Sequence, residues 1–366
     1  MFLPPVMQHA HCIAPTGATR TRYAETPLYA EGLYDLGQQV YAWLVPNGSW
    51  GEANAGLMLG DGESLLVDTL WDVPTTRAML KALEAVPGSL PPKYVVNTHA
   101  DGDHFWGNEL VSTAELITSQ AAREEMLTTR PASLLLLGKV GRVLSTLRLW
   151  QADKVGHWFQ TMLRPYDFKS VTHTPARRTF TGTLTLAVGG RRVELVQVGP
   201  AHTHGDLLVY VPDAKIVYAG DIVFYGSTPV MWAGPIENYL AALERIIQLD
   251  VDLIVPGHGP LTDKDGVRAV QAYWEFMRAQ LRQSFDAGLS ASAAARAAVL
   301  NAEFARQPFA QWNSPERIMV SAHTQYRHWR DQHQPPTTLQ LLNIMRQQAL
   351  LAYALPNAQP AIMRQR

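Results

Sequence analysis

Residues 97–108 read NTHADGDHFWGN and place two imidazoles and two carboxylates within six consecutive positions, from His99 to His104. The run that precedes them, residues 93–96, is β-branched and aromatic, which predicts a buried strand. The segment therefore lies on a loop that leaves a strand end, where α/β sheets usually carry their chemistry. Imidazole and carboxylate groups are suitable ligands for zinc, iron or manganese. A solvated polar loop is the alternative, and it is disfavoured because later segments supply matching ligands.

Three later segments repeat the combination of a polar residue with an apolar strand. His202 lies in PAHTHGD, residues 200–206, and precedes an apolar run. Asp221 ends a second such run, and His258 ends a third, where glycines flank it. Independent core histidines would not recur in this way, so the four segments predict one shared site. The alternation of strands with amphipathic helices predicts an α/β fold built in layers.

The composition narrows the class of protein. The chain has 366 residues, of which 47% are hydrophobic and 17% are charged, so it can bury a large core. Its net charge of -1 gives no general attraction to nucleic acid or to an anionic membrane. The single cysteine, Cys12, excludes an internal disulfide and a cysteine-based zinc cluster, which fits a cytoplasmic location. Residues 1–23 lack the charged and apolar regions of a secretory signal.

The sequence pattern divides the chain into three parts. Residues 1–30 have prolines and no periodicity, which predicts an irregular N-terminal arm on the surface or on a partner subunit. Residues 31–265 alternate strands and helices and are the predicted catalytic domain. Within them, about residues 131–170 predict a helical insertion, interpreted as a lid, a dimer face or a plainly packed helix. Residues 266–366 predict a helical C-terminal extension, whose last helix is a candidate for packing in a homodimer.

Taken together, the four polar segments resemble the metallo-β-lactamase superfamily. That family carries the pattern H-x-H-x-D-H, then a distant His before Thr, then a strand-end Asp or Cys, and a final His beside Gly. Here the first motif corresponds to HADGDH, residues 99–104, and the others to His202, Asp221 and His258. The resemblance covers about residues 35–265. It implies an α/β fold of the four-layer αββα sandwich type, with two mixed sheets between helices and the metals at the sandwich edge.

The resemblance also implies a set of metal ligands, with one departure at Asp101, which stands where the family usually has its second His. The first implied metal position has His99, Asp101 and His202, the second has Asp103, His104 and His258, and Asp221 bridges them. A carboxylate in the first position adds negative charge and weakens selectivity for zinc. The implied cofactor is one or two zinc ions, with iron or manganese as alternatives. Asp68 resembles the acidic residue that buttresses the site in this family.

The implied chemistry is metal-assisted hydrolysis. A metal-bound water falls in pKa to about 7, and the resulting hydroxide attacks an electrophilic carbon. Asp103 is the candidate catalytic residue, since it can ligate the metal, orient the water or accept its proton. Aromatic residues near the motifs predict a pocket for a small, apolar or aromatic substrate, and the candidates are Trp50, Trp71, Phe105, Trp106, Phe224, Tyr225 and Trp232. No basic cluster adjoins the motifs, so nucleic acid is not an expected partner.

Several functions stay open at this point. The leading one is a metal-dependent hydrolase of a lactone, ester or thioester. A narrower alternative is hydrolytic dehalogenation of an activated haloaromatic such as chlorothalonil, in which the same hydroxide attacks a ring carbon. Less favoured are a mononuclear-iron dioxygenase-like oxidoreductase and a metal-binding protein without catalysis. His204 is interpreted as a pocket donor or an incidental loop residue, and His323 and His328 as structural residues.

Overall fold

The computed structural model describes residues 3–148, 151–332 and 334–358. At its centre two β-sheets pack face to face, and helices cover both outer sides. This is the predicted αββα sandwich, and both sheets are mixed as expected. Small parts of the predicted insertion and C-terminal extension, residues 149–150, 333 and 359–366, lie outside the described residues.

The first sheet has eight strands, which lie side by side in chain order. They are β1 (His11–Pro15), β2 (Gly32–Asp35), β3 (Val40–Leu44), β4 (Ala55–Leu59), β5 (Ser64–Val67), β6 (Tyr94–Val96), β7 (Glu115–Ser119) and β8 (Arg178–Phe180). Strands β1 to β5 pair antiparallel, whereas β5 to β8 pair parallel. Strands β4 and β5 are buried at every position, which explains their nearly continuous apolar sequence.

The second sheet has five strands. They are β9 (Thr183–Val188), β10 (Arg191–Gln197), β11 (Leu207–Val211), β12 (Ile216–Phe224) and β13 (Leu253–His258). Their order across the sheet is β13-β12-β11-β10-β9, with β12 and β13 paired in parallel and the other neighbours antiparallel. The β9–β10 hairpin turns at Gly189 and Gly190, both with the positive φ that such a turn requires.

Helices form the outer layers and the C-terminal part of the chain. They are α1 (Pro5–Gln8), α2 (Val73–Leu83), α3 (Gly102–Phe105), α4 (Gln120–Met126), α5 (Pro131–Leu144), α6 (Ala152–Leu163), α7 (Ile236–Gln248), α8 (Lys264–Asp286), α9 (Ala291–Leu300), α10 (Ala302–Ala305), α11 (Ile318–Trp329) and α12 (Thr338–Ala352). Short 3-10 turns occupy Asn108–Val111, Pro308–Gln311 and Pro315–Arg317. None of the helices in the described ranges combines the length and apolarity needed to cross a lipid bilayer.

Two apolar clusters hold these layers together. One joins inward-facing residues of the two sheets, such as Met58, Val67 and Val209. The other joins the outer faces of the sheets to helices, for example through Leu243 of α7 and Met277 of α8. Each fully buried aliphatic side chain stabilises the fold by about 1.5–3 kcal/mol, so both interfaces are strongly fixed. The loops that follow β6, β10 and β13 are thereby held at one edge of the sandwich.

Two expectations about local structure are corrected. The N-terminal arm is irregular only in part, because residues 5–8 form α1 and residues 11–15 form the edge strand β1, paired with β2, whereas residues 16–30 have no helix or strand. Strand β1 has no fully buried side chain, so its sequence lacks the apolar pattern that would predict a strand. The insertion is helical over α5 and α6, but residues 164–170 form turns rather than helix.

Candidate metal centre

The loop after β6 carries four of the predicted ligands and is fixed by hydrogen bonds. The backbone N–H of Thr69 and the side-chain amide of Asn97 both donate to the carbonyl oxygen of His104, each at 3.0 Å. The short helix α3 then sets Asp103 and His104 on consecutive positions of one turn. Because these contacts come from buried neighbours, the loop presents its polar side chains in a fixed arrangement.

The remaining candidate ligands come from the second sheet. His202 lies in the loop between β10 and β11, Asp221 lies within β12, and His258 is the last residue of β13. Gly257 is required at its position, because a Cβ there would lie 2.0 Å from Oδ1 of Asp221. The glycine next to His258 therefore makes room for the carboxylate of the neighbouring strand.

The structure brings all seven predicted ligands together, in the two groups expected. The first group has His99, Asp101, His202 and Asp221, and the second has Asp103, His104 and His258. Asp221 lies between them. Its Oδ2 is 3.3 Å from Nε2 of His202 and 3.4 Å from Nε2 of His258, and its Oδ1 is 3.2 Å from Nε2 of His104.

The spacing of these donor atoms fits coordination of a divalent ion. Four donors placed tetrahedrally at about 2.0–2.2 Å from one zinc ion would lie about 3.4 Å from each other. The closest donor pairs involving Asp221 span 3.2 to 3.7 Å. Among the described residues, Nε2 of His99, Nε2 of His104 and Oδ1 of Asp221 are buried without a hydrogen-bond partner, since the last two atoms, although 3.2 Å apart, are not aligned as donor and acceptor. Buried polar atoms normally have a partner, and a bound cation would supply one here.

Further hydrogen bonds orient the imidazoles toward this point. Nδ1 of His104 lies 2.8 Å from Oδ2 of Asp68, and the backbone N–H of Thr98 donates to Oδ1 of the same carboxylate at 2.8 Å. Nδ1 of His202 lies 2.8 Å from the carbonyl oxygen of Val230. A carbonyl only accepts, so Nδ1 of His202 carries a proton, and Nε2 is the ring atom that faces the cluster and can bind a cation once it has lost its own proton. Asp68 thus has the contact expected of a buttress.

The electrostatics of the cluster are dominated by burial and by mutual contacts. Burial opposes ionisation of Asp221, but the imidazoles of His258, His104, His99 and His202 outweigh it and hold its pKa well below the usual value. Burial also opposes protonation of His202, but Asp221 and Asp101 raise its pKa to about 10. A divalent ion bound here would replace protons on the imidazoles, so metal binding is coupled to proton release.

Asp101 is held differently from the other candidate ligands. Its Oδ2 lies 3.1 Å from Nε2 of His202, at the spacing of a shared metal position. The same oxygen accepts a hydrogen bond from the indole N–H of Trp232 at 3.1 Å. The side chain is 34% exposed, against 3% for Asp221. Asp101 therefore lies at the solvent-facing side of the first group.

A cavity of about 300 Å³ opens beside the cluster. Asp101, Asp103, Asp221 and His258 form its polar wall. Its other walls are largely aromatic and aliphatic, formed by Trp50, Trp71, Trp106, Leu134, Leu137, Trp158, Phe159, Met162, Leu163, Phe224, Val230, Trp232, Leu341 and Met345. Five of the seven predicted pocket residues therefore line one cavity, namely Trp50, Trp71, Trp106, Phe224 and Trp232.

Tyr225 does not line this cavity, so the expectation for that residue is corrected. Its neighbour Phe224 faces the cavity and stacks on His258 with ring centroids 4.9 Å apart. Strand β12 ends at Phe224, and Tyr225 follows in a bend, where its ring centroid lies 6.3 Å from that of Trp312. Phe105 is also absent from the cavity lining and is buried in the core.

The helices α5 and α6 contribute cavity residues that are not among the pocket residues predicted from the sequence. Leu134 and Leu137 are one helical turn apart, as are Trp158 and Met162, and this spacing was the available signal. The buried Arg317, from the C-terminal part of the chain, also lines the cavity, and no local pattern marked it.

The remaining histidines lie outside the cluster. His204 pairs with Glu125 and is 60% exposed. Nε2 of His323 lies 2.8 Å from the hydroxyl of Ser292, and Nε2 of His328 lies 2.7 Å from the carbonyl oxygen of Ala233. The contacts of His323 and His328 join helices and loops, in agreement with structural roles.

Comparisons with known proteins agree with this fold and site. The family model described as the metallo-beta-lactamase superfamily matches residues 48–258, more than half of the chain. The α subunit of a 2,4-dinitroanisole O-demethylase from Nocardioides sp. (strain JS1661) is 26% identical over 206 residues, which are 54% of this chain and 50% of that protein. An acyl-coenzyme A thioesterase from Homo sapiens is 31% identical over 77 residues, which are 19% of this chain and 27% of that protein.

Among solved structures, a sec-alkylsulfatase from Pseudomonas sp. superposes with a TM-score of 0.60 at 15% identity, covering 82% of this chain and 50% of that one. The chain thus spans about half the length of this structure and of the demethylase subunit. The named relatives are enzymes, so the predictions of superfamily and of an enzyme are confirmed at the level of the family. With the αββα fold, the ligand cluster and the family match in agreement, the chain belongs to the metallo-β-lactamase superfamily.

Proposed function

We propose that this chain is a metal-dependent hydrolase that uses an activated water molecule on a small, apolar or aromatic substrate. The observation that carries the proposal is the cluster of seven His and Asp residues on the wall of an aromatic-lined cavity. The buried Nε2 atoms of His99 and His104 support a bound cation, because the described residues give them no hydrogen-bond partner. Zinc is the proposed ion, one or two per chain, with iron and manganese as alternatives.

A divalent ion in this cluster would lower the pKa of a bound water and polarise the bond to be broken. Asp103 is the proposed catalytic residue, because its carboxylate lines the cavity and lies 3.4 Å from Nε2 of His258. There it can fix the orientation of the attacking water and accept its proton. A substrate that fills the space between the aromatic walls would displace water from them, which would strengthen each electrostatic contact with the substrate.

The size of the cavity supports an ester, thioester or lactone of modest size as the substrate. Its volume of about 300 Å³ fits a molecule with one or two rings or a short alkyl chain. Trp71 and Trp106 lie nearly parallel with ring centroids 6.5 Å apart, and Trp50 and Trp158 form an edge contact at 5.6 Å. Such indole surfaces bind flat apolar groups.

The alternative function is attack on a ring carbon of an activated aromatic compound, including hydrolytic dehalogenation of a substrate such as chlorothalonil. The tryptophan walls favour it, since they could hold a ring against the metal cluster. The printed name of one relative, a 2,4-dinitroanisole O-demethylase subunit, supports the same substrate class. Halide or alcohol release from an activated ring, without ester hydrolysis, would favour this alternative.

Two structural assignments stay predictions. We propose that α5 and α6 act as a lid, since both contribute side chains to the cavity. We also propose that the protein is cytoplasmic and forms a homodimer. The homodimer is supported by a row of exposed apolar side chains on α5 and just after it, formed by Leu136, Val140, Val143 and Leu147. Size-exclusion chromatography with light scattering measures the oligomeric state.

A substrate panel tests the proposed function. Aryl acetates, thioesters, lactones, sulfate esters and haloaromatics are offered to protein loaded with zinc, iron or manganese, and to protein treated with chelator. The expected result is hydrolysis of at least one neutral ester or thioester that chelator abolishes and zinc restores. Sulfur-dependent oxygen uptake by the iron form would indicate an oxidoreductase instead. Absence of turnover with every metal would indicate a binding protein.

A further inference from the structure

Arg317 is a charged residue in a cavity that is otherwise mostly apolar. It belongs to the 3-10 turn Pro315–Arg317, which lies outside the family-matched segment, residues 48–258. Its side chain is buried, yet it lines the same cavity as Asp103 and His258. Two arginines line the cavity among the described residues. Arg317 is buried, whereas Arg130 is exposed at the start of α5.

The guanidinium of Arg317 is held in place. Its Nη1 donates to the hydroxyl of Ser227 and to the carbonyl oxygen of Thr228, both at 3.0 Å. Its Cζ lies 5.5 Å from the ring centroid of Phe224, and that ring stacks on His258. One aromatic ring therefore separates the guanidinium from the metal cluster, and a ligand in the cavity can reach both.

Within the described ranges, no carboxylate forms an ion pair with this guanidinium. Among the described residues, no Asp or Glu oxygen lies within 4.0 Å of it, and both of its hydrogen bonds come from Nη1. A buried cation without a directly paired anion is costly, and burial lowers the pKa of Arg317 even though the carboxylates of Glu316, Asp221 and Asp103 act in the opposite direction. The donors on Nε and Nη2 are thus available to a group that enters the cavity.

We propose that Arg317 binds a single anionic group, a carboxylate or a sulfate-type oxyanion, on the substrate. The preferred substrate is then an apolar or aromatic molecule with one such group, whose reacting bond lies at the metal cluster. Arg317 is a specificity-determining residue in this assignment, and the assignment rests on the proposed hydrolase. A planar guanidinium forms paired, charge-assisted hydrogen bonds with such groups. A site built for that contact discriminates against a neutral analogue, because the buried donors then go unpaired.

Binding of two nearly isosteric probes tests the assignment in the metal-loaded protein. Quenching of tryptophan fluorescence reports the dissociation constants of 4-nitrobenzoate and 4-nitrobenzamide. The wild type should bind the anion at least about tenfold more tightly, and Arg317→Met should reduce that preference to about twofold or less. Arg306→Met is the control, since it removes an exposed arginine that does not line the cavity, and it should keep the full preference.

Kinetics separate this role from a purely structural one. Arg317→Met should raise KM for 4-acetoxybenzoate about tenfold and leave KM for its neutral methyl ester within about twofold. A structural role would impair both esters equally. If Arg317→Met loses its native circular dichroism spectrum, Arg317→Lys serves instead, and it should weaken the anion preference at least about threefold because the fork geometry is lost.

The outcomes distinguish this assignment from the proposed function. If the wild type shows no preference for the anion, the assignment is overturned. It is also overturned if the preference survives in Arg317→Met, because the metal would then bind the anion. Hydrolysis of the neutral methyl ester in the same samples would leave the proposed function standing. A preference that depends on Arg317, without turnover of either ester, would instead contradict the hydrolase and leave an anion-binding cavity.

Discussion

Replacement of Asp68 by Asn would test whether the buried buttress controls the metal cluster. Oδ2 of Asp68 lies 2.8 Å from both Nδ1 of His104 and the hydroxyl of Thr98, and Oδ1 accepts from the backbone N–H of Thr98. An amide keeps the shape but removes the charge and turns one acceptor into a donor. The NH2 group then faces either Nδ1 of His104 together with the hydroxyl of Thr98, or the backbone N–H of Thr98. Loss of such a partner typically lowers metal affinity or activity about 10- to 100-fold, which equals about 1.4–2.7 kcal/mol.

We expect the Asp68→Asn effect to lie toward the upper part of that range, since one oxygen serves two buried partners. The assay is metal affinity, measured by competition with a chromogenic chelator, together with kcat/KM for the best substrate of the panel. Asp213→Asn makes the same chemical change in a surface ion pair with Arg191 and should alter both quantities less than about twofold. Wild-type metal affinity and wild-type kcat/KM in Asp68→Asn would show that the buried carboxylate does not control the cluster.

Further predictions concern Asp101 and Glu52. If Asp101 ligates the first group, Asp101→Ala should lower the metal content and Asp101→His should raise zinc occupancy toward two ions per chain; equal stoichiometry in both variants would show that it is not a ligand. Glu52 is fully buried, and burial raises its pKa from 4.5 to about 8. In the unfolded chain the Glu52 carboxyl ionises near pH 4.5, whereas in the folded chain it keeps its proton up to about pH 8. The Glu52 carboxyl therefore makes the free energy of unfolding fall as pH rises from 4.5 toward 8. Glu52→Gln should therefore be about 2 kcal/mol more stable than wild type at pH 8 and equal at pH 4, measured by urea unfolding; parallel pH profiles would contradict this.

The ligand cluster could be predicted from sequence because its residues follow or end apolar strands. The loop after Val96 and the end of β13 at His258 meet at one edge of the stacked sheets, whereas Asp221 lies within β12, which continues to Phe224 beyond the strand end that its sequence predicts. The glycines beside His258 reinforced the pattern, and the structure shows that Gly257 makes room for Asp221.

Other features depended on tertiary packing that no local pattern encodes. The strand β1 pairs at a sheet edge with partly exposed side chains, so the first 30 residues looked irregular. Arg317 reaches the cavity because Ser227 and Thr228 hold it there, about ninety residues away in sequence. The expectation for Tyr225 failed because β12 ends at Phe224, which faces the cavity, and the chain then bends and places Tyr225 near Trp312.

The central claim is that Asp103 and His258 hold the catalytic metal at the cavity wall, and kcat/KM of single variants tests it most directly. Both residues belong to the cluster, at 3.4 Å from each other, whereas His323 bonds to Ser292 outside it. We predict that Asp103→Ala and His258→Ala each lose metal and lower kcat/KM at least about 100-fold, or about 2.7 kcal/mol, and that the double variant is far from additive. His323→Ala should stay within about threefold of wild type. Well-folded Asp103→Ala and His258→Ala proteins with near-native kcat/KM would contradict the account.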